Sequence, residues 1–255
     1  MSVSACADLV RSGDPDRFLA AMTAPPATRD ALFVLYAFNL EVAKAPWVTR
    51  EPLIAQMRLQ FWQDVVNDVA AGKQPRAHDV AGPLAALIQR ADLSVSVLST
   101  LITARYWDIN GDPFASEEDV IAHIDRGAGS LAVLAALALG ASPDQEADVR
   151  EAAIASGIAN WLVAVPAIEA AGRKPLAHAT LAEVRNLADY GLRMLMKQRP
   201  TDFGPAVPAL RAGWRAEGLL RQALRDPQAV PEGRLGTSDF RRRVGLMVRA
   251  AAGRW

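Results

Sequence analysis

Apolar side chains between positions 32 and 45 recur at the spacing of one helix face and predict a buried α-helix. The residues on that face, at i, i+3, i+4, i+7 and i+11, are Leu32, Leu35, Tyr36, Asn39 and Ala43. The opposite side of this helix is also apolar, and a helix that is apolar all round belongs inside a larger protein. We therefore expect Asn39 and Glu41 to be polar groups in an apolar setting.

A second helix is predicted after Pro52. Its apolar stripe is formed by Ile54, Met57, Phe61, Val65 and Val69. Arg58 and Trp62 lie beside this stripe. Because an unpaired buried charge costs several kcal/mol, the pattern predicts an ion pair between Arg58 and Glu41. Asn39 could complete the network as a hydrogen-bond partner.

Patterns typical of β-strands are nearly absent, and alanine and leucine, which favour helix, are abundant. Further helices are predicted at about 93–108, 116–140, 144–173, 180–198, 210–224 and 238–252. The helix at 144–173 is expected to be interrupted or bent at Pro166. Neither a sequence repeat nor a low-complexity linker divides the chain, so we interpret residues 1–255 as one all-α domain.

The composition limits the classes of function. The chain has 255 residues, half of them apolar, and 28 basic against 28 acidic side chains, so its net charge does not indicate a nucleic-acid partner. A single cysteine excludes an internal disulfide and fits a reducing compartment. No secretory signal is evident, and the most apolar stretch, Leu131–Ala141, is too short to span a bilayer. The expectation is a soluble cytoplasmic protein.

Candidate groups for chemistry are few. Asp64 and Asp68 have i, i+4 spacing but fall outside the apolar stripe, so we expect them to be solvated. Asp108 ends an apolar helix, and the sequence leaves open whether it lines a cleft or caps a turn. The glycines within 127–130 favour a close helix crossing or a kink over a phosphate cradle. No metal site and no cofactor is predicted.

The C-terminal segment is basic and amphipathic. Its arginines are Arg241, Arg242, Arg243, Arg249 and Arg254. Its apolar stripe consists of Phe240, Val244, Met247, Val248 and Ala251. Such a segment is usually an ordinary surface helix, and the sharper hypothesis is a helix that docks on a membrane surface or on a partner.

The run YAFNLEVA at 36–43, followed by MRLQFW at 57–62, resembles the squalene/phytoene synthase family, and in particular its divergent branch that includes an assembly factor of mitochondrial respiratory complex I. ARYWD at 104–108 and GIAN at 157–160 resemble later segments of that family. The resemblance implies an all-α, isoprenoid-synthase-like helical bundle around a central cavity. The residues that it suggests for the cavity are Tyr36, Asn39, Glu41, Arg58, Trp62, Asp108 and Asn160.

Two departures from the family pattern change the expected function. Active synthases carry two Asp-rich segments that hold Mg²⁺ against a prenyl diphosphate, but here those segments read AKAPW at 43–47 and VPAIEA at 165–170. Without such ligands the ionisation of a diphosphate loses its main stabilisation. The resulting hypothesis is a non-catalytic pseudoenzyme that serves as an assembly factor and binds a respiratory-complex subunit or an isoprenoid or other lipid. It would be cytoplasmic or peripheral to the inner membrane.

The alternative hypothesis is a divergent Mg²⁺-dependent prenyltransferase that acts on prenyl diphosphates. It would use Asp64, Asp68 or Asp108 as metal ligands, and these carboxylates would then have to converge within one cavity.

Overall fold

Helices account for 74% of the computed structural model. The structure describes residues 2–255, except for the side chains of Asp239 and Arg241, and no strand occurs among them. The α-helices are α1 (Val3–Gly13), α2 (Pro15–Met22), α3 (Pro26–Lys44), α4 (Pro52–Ala70), α5 (Ala81–Ala91), α6 (Val95–Thr103), α7 (Trp107–Asn110), α8 (Glu117–Ile124), α9 (Ser130–Ala138), α10 (Glu146–Ala170), α11 (Leu181–Gln198), α12 (Val207–Leu210), α13 (Ala216–Arg225) and α14 (Asp239–Ala251). Short 3₁₀ turns lie at Ala104–Tyr106, Pro143–Gln145, Gly204–Ala206, Arg211–Gly213 and Pro227–Ala229. The all-α prediction is confirmed.

Helix α3 is the centre of the N-terminal half. Every residue from Ala31 to Asn39 is buried, as the continuous apolar pattern predicts. The helix packs against α1, α2, α5 and α9. Asn39, at 5% exposure, is a polar group inside an apolar element.

The apolar core consists of two clusters. The first joins α1 to α6 with part of α9. The second is built mainly from α8, α10, α11 and α13. Leu137 packs against both clusters. The interpretation of the chain as a single domain stays a prediction.

The predicted stripe of α4 is wrong in its first half. The side chains that α4 buries are Ala55, Leu59, Trp62, Val65, Val66 and Val69. Ile54 and Met57, which the pattern placed inside, are 44% and 64% exposed. Leu53 is 68% exposed. The start of α4 therefore leaves an apolar surface open.

The predicted ion pair between Arg58 and Glu41 is also wrong. Arg58 is exposed. Glu41 instead accepts a hydrogen bond from Lys44, one turn further along α3, at 3.4 Å. Helix α4 packs mainly against α5 and α6 and only lightly against α3. Because the two helices scarcely touch, the arginine is free to stay in water, where a charge costs least.

Two helices predicted as continuous change their geometry partway. The helix expected at 93–108 tightens into a 3₁₀ turn at Ala104–Tyr106. The helix after Ser116 contains a π-helical turn at Asp125–Gly129. Ser116 caps this helix, since its Oγ accepts a hydrogen bond from the backbone N–H of Asp119 at 3.2 Å. In contrast, α10 remains one helix through Pro166.

Two helical stretches are long and apolar enough to cross a bilayer by length and composition alone. They are Glu117–Ala138 and Pro143–Ala170, and the apolar 18-residue window in each has a mean hydropathy of 1.4. Within the protein, 56% of the first window and 50% of the second are buried. Core helices of soluble proteins pass the same test, so these stretches are weak evidence of a membrane span.

Candidate functional site

A cleft of about 280 Å³ lies where α3, α7, α8 and α10 meet. Its polar lining consists of Arg17, Asn39, Arg105, Asp108, His123 and Asn160. Its apolar lining consists of Ala43, Trp47, Ala104, Ile124, Ala128, Leu131, Trp161, Ala164 and Ile168, with Gly127 and Gly157. The volume is near the lower end of the range for small-molecule sites in proteins.

Three of the seven residues suggested for the cavity line this cleft, namely Asn39, Asp108 and Asn160. Asn39 comes from α3, Asp108 from α7 and Asn160 from α10. The structure therefore places Asp108 at a cleft wall, one of the two positions that the sequence left open. It is 3% exposed.

The other suggested residues lie elsewhere. Tyr36 is buried beneath Arg17, whose guanidinium lies 5.7 Å from its ring centroid, and burial raises the pKa of this phenol to about 12. Trp62 belongs to the first core cluster, with its ring 4.9 Å from that of His78. Glu41 and Arg58 occupy the positions described above and are not part of the cleft lining.

Arg105 and Asp108 form the charged pair of the cleft. Arg105 Nη1 lies 3.4 Å from Asp108 Oδ2, one turn away along the chain. Burial raises the pKa of Asp108, although the nearby charges of Arg105 and Arg173 act in the opposite direction. Arg105 Nε is buried without a hydrogen-bond partner. The pair thus leaves one guanidinium N–H of Arg105 without a protein acceptor.

His123 is a buried, neutral wall residue. It is 4% exposed, and desolvation, with smaller contributions from Arg105 and Arg126, lowers its pKa to about 3. Its ring packs against Trp161 at 5.1 Å and against Trp107 at 5.2 Å. Its Nδ1 atom has no hydrogen-bond partner. A neutral imidazole in an aromatic wall can donate or accept a hydrogen bond without bringing a charge.

The π-helical turn brings small residues to the cleft. Gly127 and Ala128, within this turn, line the cleft together with Gly157 of α10, which lies next to Ala128. A Cβ on Gly157 would lie 2.8 Å from the Cβ of Ala128, which is closer than two such atoms approach in proteins. The helices therefore cross closely at Ala128, and the glycine that permits this approach is Gly157 of α10 and not Gly127, where a Cβ would meet only Arg105 at 3.9 Å. Arg150 on α10 bonds Asp125 at 3.2 Å and ties the turn to that helix. π-turns of this kind are frequent at functional sites.

Carboxylates do not gather in the cleft. Asp64 and Asp68 pair with Arg76 at 3.1 and 3.0 Å, and Lys73 also binds Asp68 at 3.0 Å. Neither aspartate lines the cleft. In the described part of the chain, no group of three or more His, Cys, Asp and Glu side chains is placed to hold a metal ion.

Sequence reasoning missed the basic and aromatic lining residues, namely Arg17, Trp47, Arg105, His123 and Trp161. A usable signal existed for one of them. Arg105 and Asp108 have i, i+3 spacing in an otherwise apolar helix, and opposite charges at that spacing meet on one helix face. The remaining residues come from separate helices, so no local spacing links them.

The fold, the cleft and the sequence together define the class of protein. Residues 10–252 match the squalene/phytoene synthase family, and the chain belongs to that family. The fold is similar to that of a dehydrosqualene synthase crystallised with a ligand, with a TM-score of 0.79, 14% identity, and coverage of 98% of this chain and 95% of that chain. At that identity the likeness shows the isoprenoid-synthase-like fold alone.

Curated relatives point to one branch of the family. The chain is 29% identical over 163 residues to a Bos taurus protein named NADH dehydrogenase (ubiquinone) complex I, assembly factor 6. The aligned region covers 63% of this chain and 48% of the relative. It is 30% identical over 168 residues to the Drosophila melanogaster homolog of that factor, covering 63% of this chain and 50% of the relative. The chain therefore spans about half the length of these relatives. The resemblance seen in the sequence is confirmed.

Proposed function

We propose that this protein is a non-catalytic member of the synthase family that takes part in the assembly of respiratory complex I. The names of its curated relatives support the assembly role. In this proposal the protein works in the cytoplasm or at the surface of the inner membrane, where subunits of a respiratory complex are within reach. The proposed absence of catalysis is supported by the residues that form the cleft wall.

Residues from both segments that would be Asp-rich in an active synthase line the cleft, and they are apolar. Ala43 and Trp47 come from the first segment, and Ile168 comes from the second. The family's chemistry requires Mg²⁺ to neutralise a leaving diphosphate, and Mg²⁺ is held by carboxylates. Asp108 is the acidic residue of the cleft lining, and it lies beside Arg105. One carboxylate next to a guanidinium is a poor ligand for a dication.

The same cleft is suited to binding. Its walls are mostly aliphatic and aromatic, which favours an apolar chain, and Arg17 and Arg105 add positive charge. An isoprenoid or another lipid with an anionic end would match both features. An apolar segment of a respiratory subunit is the other occupant consistent with this lining.

Incubation of the purified protein with farnesyl diphosphate and Mg²⁺ tests the non-catalytic part of the proposal. We expect no release of pyrophosphate above the rate of a heat-denatured sample, because the cleft lacks the ligands for the metal cluster. An active squalene synthase assayed in parallel serves as the positive control. Release of pyrophosphate with formation of a coupled C30 product would overturn the proposal.

Deletion of the gene in its own organism tests the assembly role. We expect a loss of assembled complex I on native gels and of NADH:ubiquinone oxidoreductase activity, with both restored by the wild-type chain. Rescue with Ala164→Trp, which fills the cleft from α10, separates binding in the cleft from other roles of the fold. Unchanged complex I in the deletion strain would contradict the assembly role.

A divergent Mg²⁺-dependent prenyltransferase is the second candidate function. The observation that favours it is the presence in one cleft of Asp108 and of Arg105, a cation that could grip a diphosphate. The locations of Asp64 and Asp68 weigh against it, since both pair with Arg76 and neither lines the cleft that contains Asp108. The pyrophosphate assay distinguishes the two candidates directly.

A further inference from the structure

Helix α14 turns charged side chains toward the rest of the protein. Arg242 pairs with Asp16 of α2, and Arg249 lies 3.8 Å from Glu217 of α13. Leu246, on the same side, is buried at 4% exposure. The inner face of this helix is therefore held mainly by ion pairs.

The outer face of α14 is apolar and open to solvent. Phe240, Val244, Met247 and Val248 are 76%, 41%, 69% and 62% exposed. Their spacing of i, i+4, i+7 and i+8 puts them in one stripe along the helix. Surface helices of globular proteins usually turn such a stripe toward the core. This helix does the opposite, and its apolar stripe is left uncovered.

The end of α14 is fixed to the body of the protein. Trp255 is 8% exposed, and its ring meets that of Phe203 edge to face at 5.4 Å. Arg211 donates a hydrogen bond from Nε to the backbone oxygen of Arg254 at 2.9 Å. With both its inner face and its end anchored, α14 presents the apolar stripe on a defined surface.

Positive charge accompanies the stripe. Arg243 is exposed at its edge, and Arg254 is exposed just beyond the helix. Residues 238–255 contain five arginines and one aspartate, although the chain as a whole has no net charge. None of the α14 side chains that the structure describes is acidic.

We propose that the apolar stripe of α14 docks on an anionic lipid surface. A helix that lies flat, with an apolar face outward and arginines at its margins, has the geometry of interfacial membrane helices. Anionic lipids attract arginines near the bilayer surface. A second copy packed on the same stripe through a two-fold axis would bring two basic margins together with no described acid on the helix to offset them. This docking is independent of the assembly role and of the occupant of the cleft.

Flotation of the full chain with vesicles tests this proposal. We compare phosphatidylcholine vesicles with vesicles of phosphatidylcholine mixed with phosphatidylglycerol, at low and at high salt. We expect preferential binding to the anionic vesicles that weakens at high salt, because ions screen the arginine–lipid attraction. Absence of binding to anionic vesicles would overturn the proposal.

Variants identify the surface that binds. Phe240→Ser combined with Met247→Ser should weaken vesicle binding at least about tenfold, since two large apolar side chains no longer insert. Arg243→Ala should weaken it about fivefold. All three positions are exposed, so circular dichroism and thermal melting should match the wild type.

The exposed pair Leu53 and Met57 on α4 provides the matched control, with 68% and 64% exposure. Leu53→Ser combined with Met57→Ser should leave vesicle binding unchanged. An equal loss of binding in this control would overturn the assignment to α14. A dimer in light scattering that the Phe240 and Met247 changes abolish, without vesicle binding, would instead show that a second copy covers the stripe and would overturn the lipid proposal.

Discussion

Arg105 Nη1 lies 3.4 Å from Asp108 Oδ2 at the wall of the cleft. Asp108 is the acidic residue of the cleft lining, and Arg105 is the cation beside it. The Asp108 side chain is 4% exposed, whereas the Arg105 side chain is 23% exposed. The contact is therefore asymmetric. Asp108 depends on Arg105 for compensation of its buried charge, but Arg105 still reaches solvent.

Removal of the arginine charge should destabilise the protein. Arg105→Met keeps an apolar stem of similar length but leaves Asp108 without its close cation, and we expect a loss of about 3 kcal/mol in the free energy of unfolding at neutral pH. Chemical denaturation measures this loss. In the Arg105→Met/Asp108→Asn double variant the loss should be smaller, because no buried carboxylate then remains. Equal losses in the single and double variants would show that the pair is incidental.

The neutral His123 should make stability sensitive to acid. Its pKa in the folded protein is lowered to about 3 from an ordinary value of 6.5, so the unfolded chain binds the proton more tightly. The neutral imidazole therefore contributes stability that is fully present above pH 6.5. This stability is lost as the pH falls toward 3, at about 1.4 kcal/mol per pH unit. His123→Phe keeps the ring packing and should lose less stability between pH 7 and pH 5.

Denaturant unfolding at the two pH values measures this difference. His178→Gln, which removes an exposed imidazole, serves as the control and should lose stability with acid as the wild type does. An identical pH dependence in His123→Phe and the wild type would rule out the protonation of His123 as a cause.

The crossing of α10 over the π-helical turn should tolerate no larger residue at Gly157. Gly157→Ala places a methyl group against Ile124 and 2.8 Å from the Cβ of Ala128, so the helices must separate. We expect a loss of about 1–3 kcal/mol, measured by thermal or chemical unfolding. Gly218→Ala in α13 is the control, since a Cβ there meets nothing within 4 Å. That change should stabilise the helix by about 0.5–1 kcal/mol.

Loss of an apolar side chain should affect the free energy of unfolding very differently on the two faces of α4. Leu53→Ser, at a position 68% exposed, should change the free energy of unfolding by no more than about 0.5 kcal/mol. Leu59→Ala, at a position with 0% exposure, should cost about 2–5 kcal/mol. Denaturant titrations of the two variants compare them. A large loss in Leu53→Ser would indicate that the start of α4 is covered in solution.

The sequence predicts helices well where the apolar pattern is one-sided or continuous. The buried helix predicted between positions 32 and 45 corresponds to α3 at Pro26–Lys44, and the helix predicted at 180–198 corresponds to α11 at Leu181–Gln198. Thr180 marks the start of α11, because its Oγ1 accepts a hydrogen bond from the backbone N–H of Glu183 at 3.1 Å. Such signals are local, so they need no knowledge of the neighbouring helices.

The inward face of α4 shows where local pattern fails. Ile54, Met57 and Phe61 have helical spacing, and so do Ala55, Leu59 and Trp62. The choice between these two stripes depends on which helices pack against α4, and those are α5 and α6. The prediction of an Arg58–Glu41 ion pair was wrong for the same reason. It assumed that α3 and α4, which are consecutive in sequence, also pack against each other. The cleft lining comes from helices far apart in the chain, so the sequence located only part of it.

The π-helical turn at Asp125–Gly129 sets the angular phase between α8 and α9. It holds one residue more than a regular turn would, and one residue corresponds to about 100° of rotation. With this offset, α8 presents His123 and Ile124 to the cleft while α9 places Leu134 in the N-terminal core. A single-residue deletion in this turn would rotate one helix out of phase with the other. The extra residue thus allows one helical segment to line the cleft with α8 and to pack in the apolar core with α9.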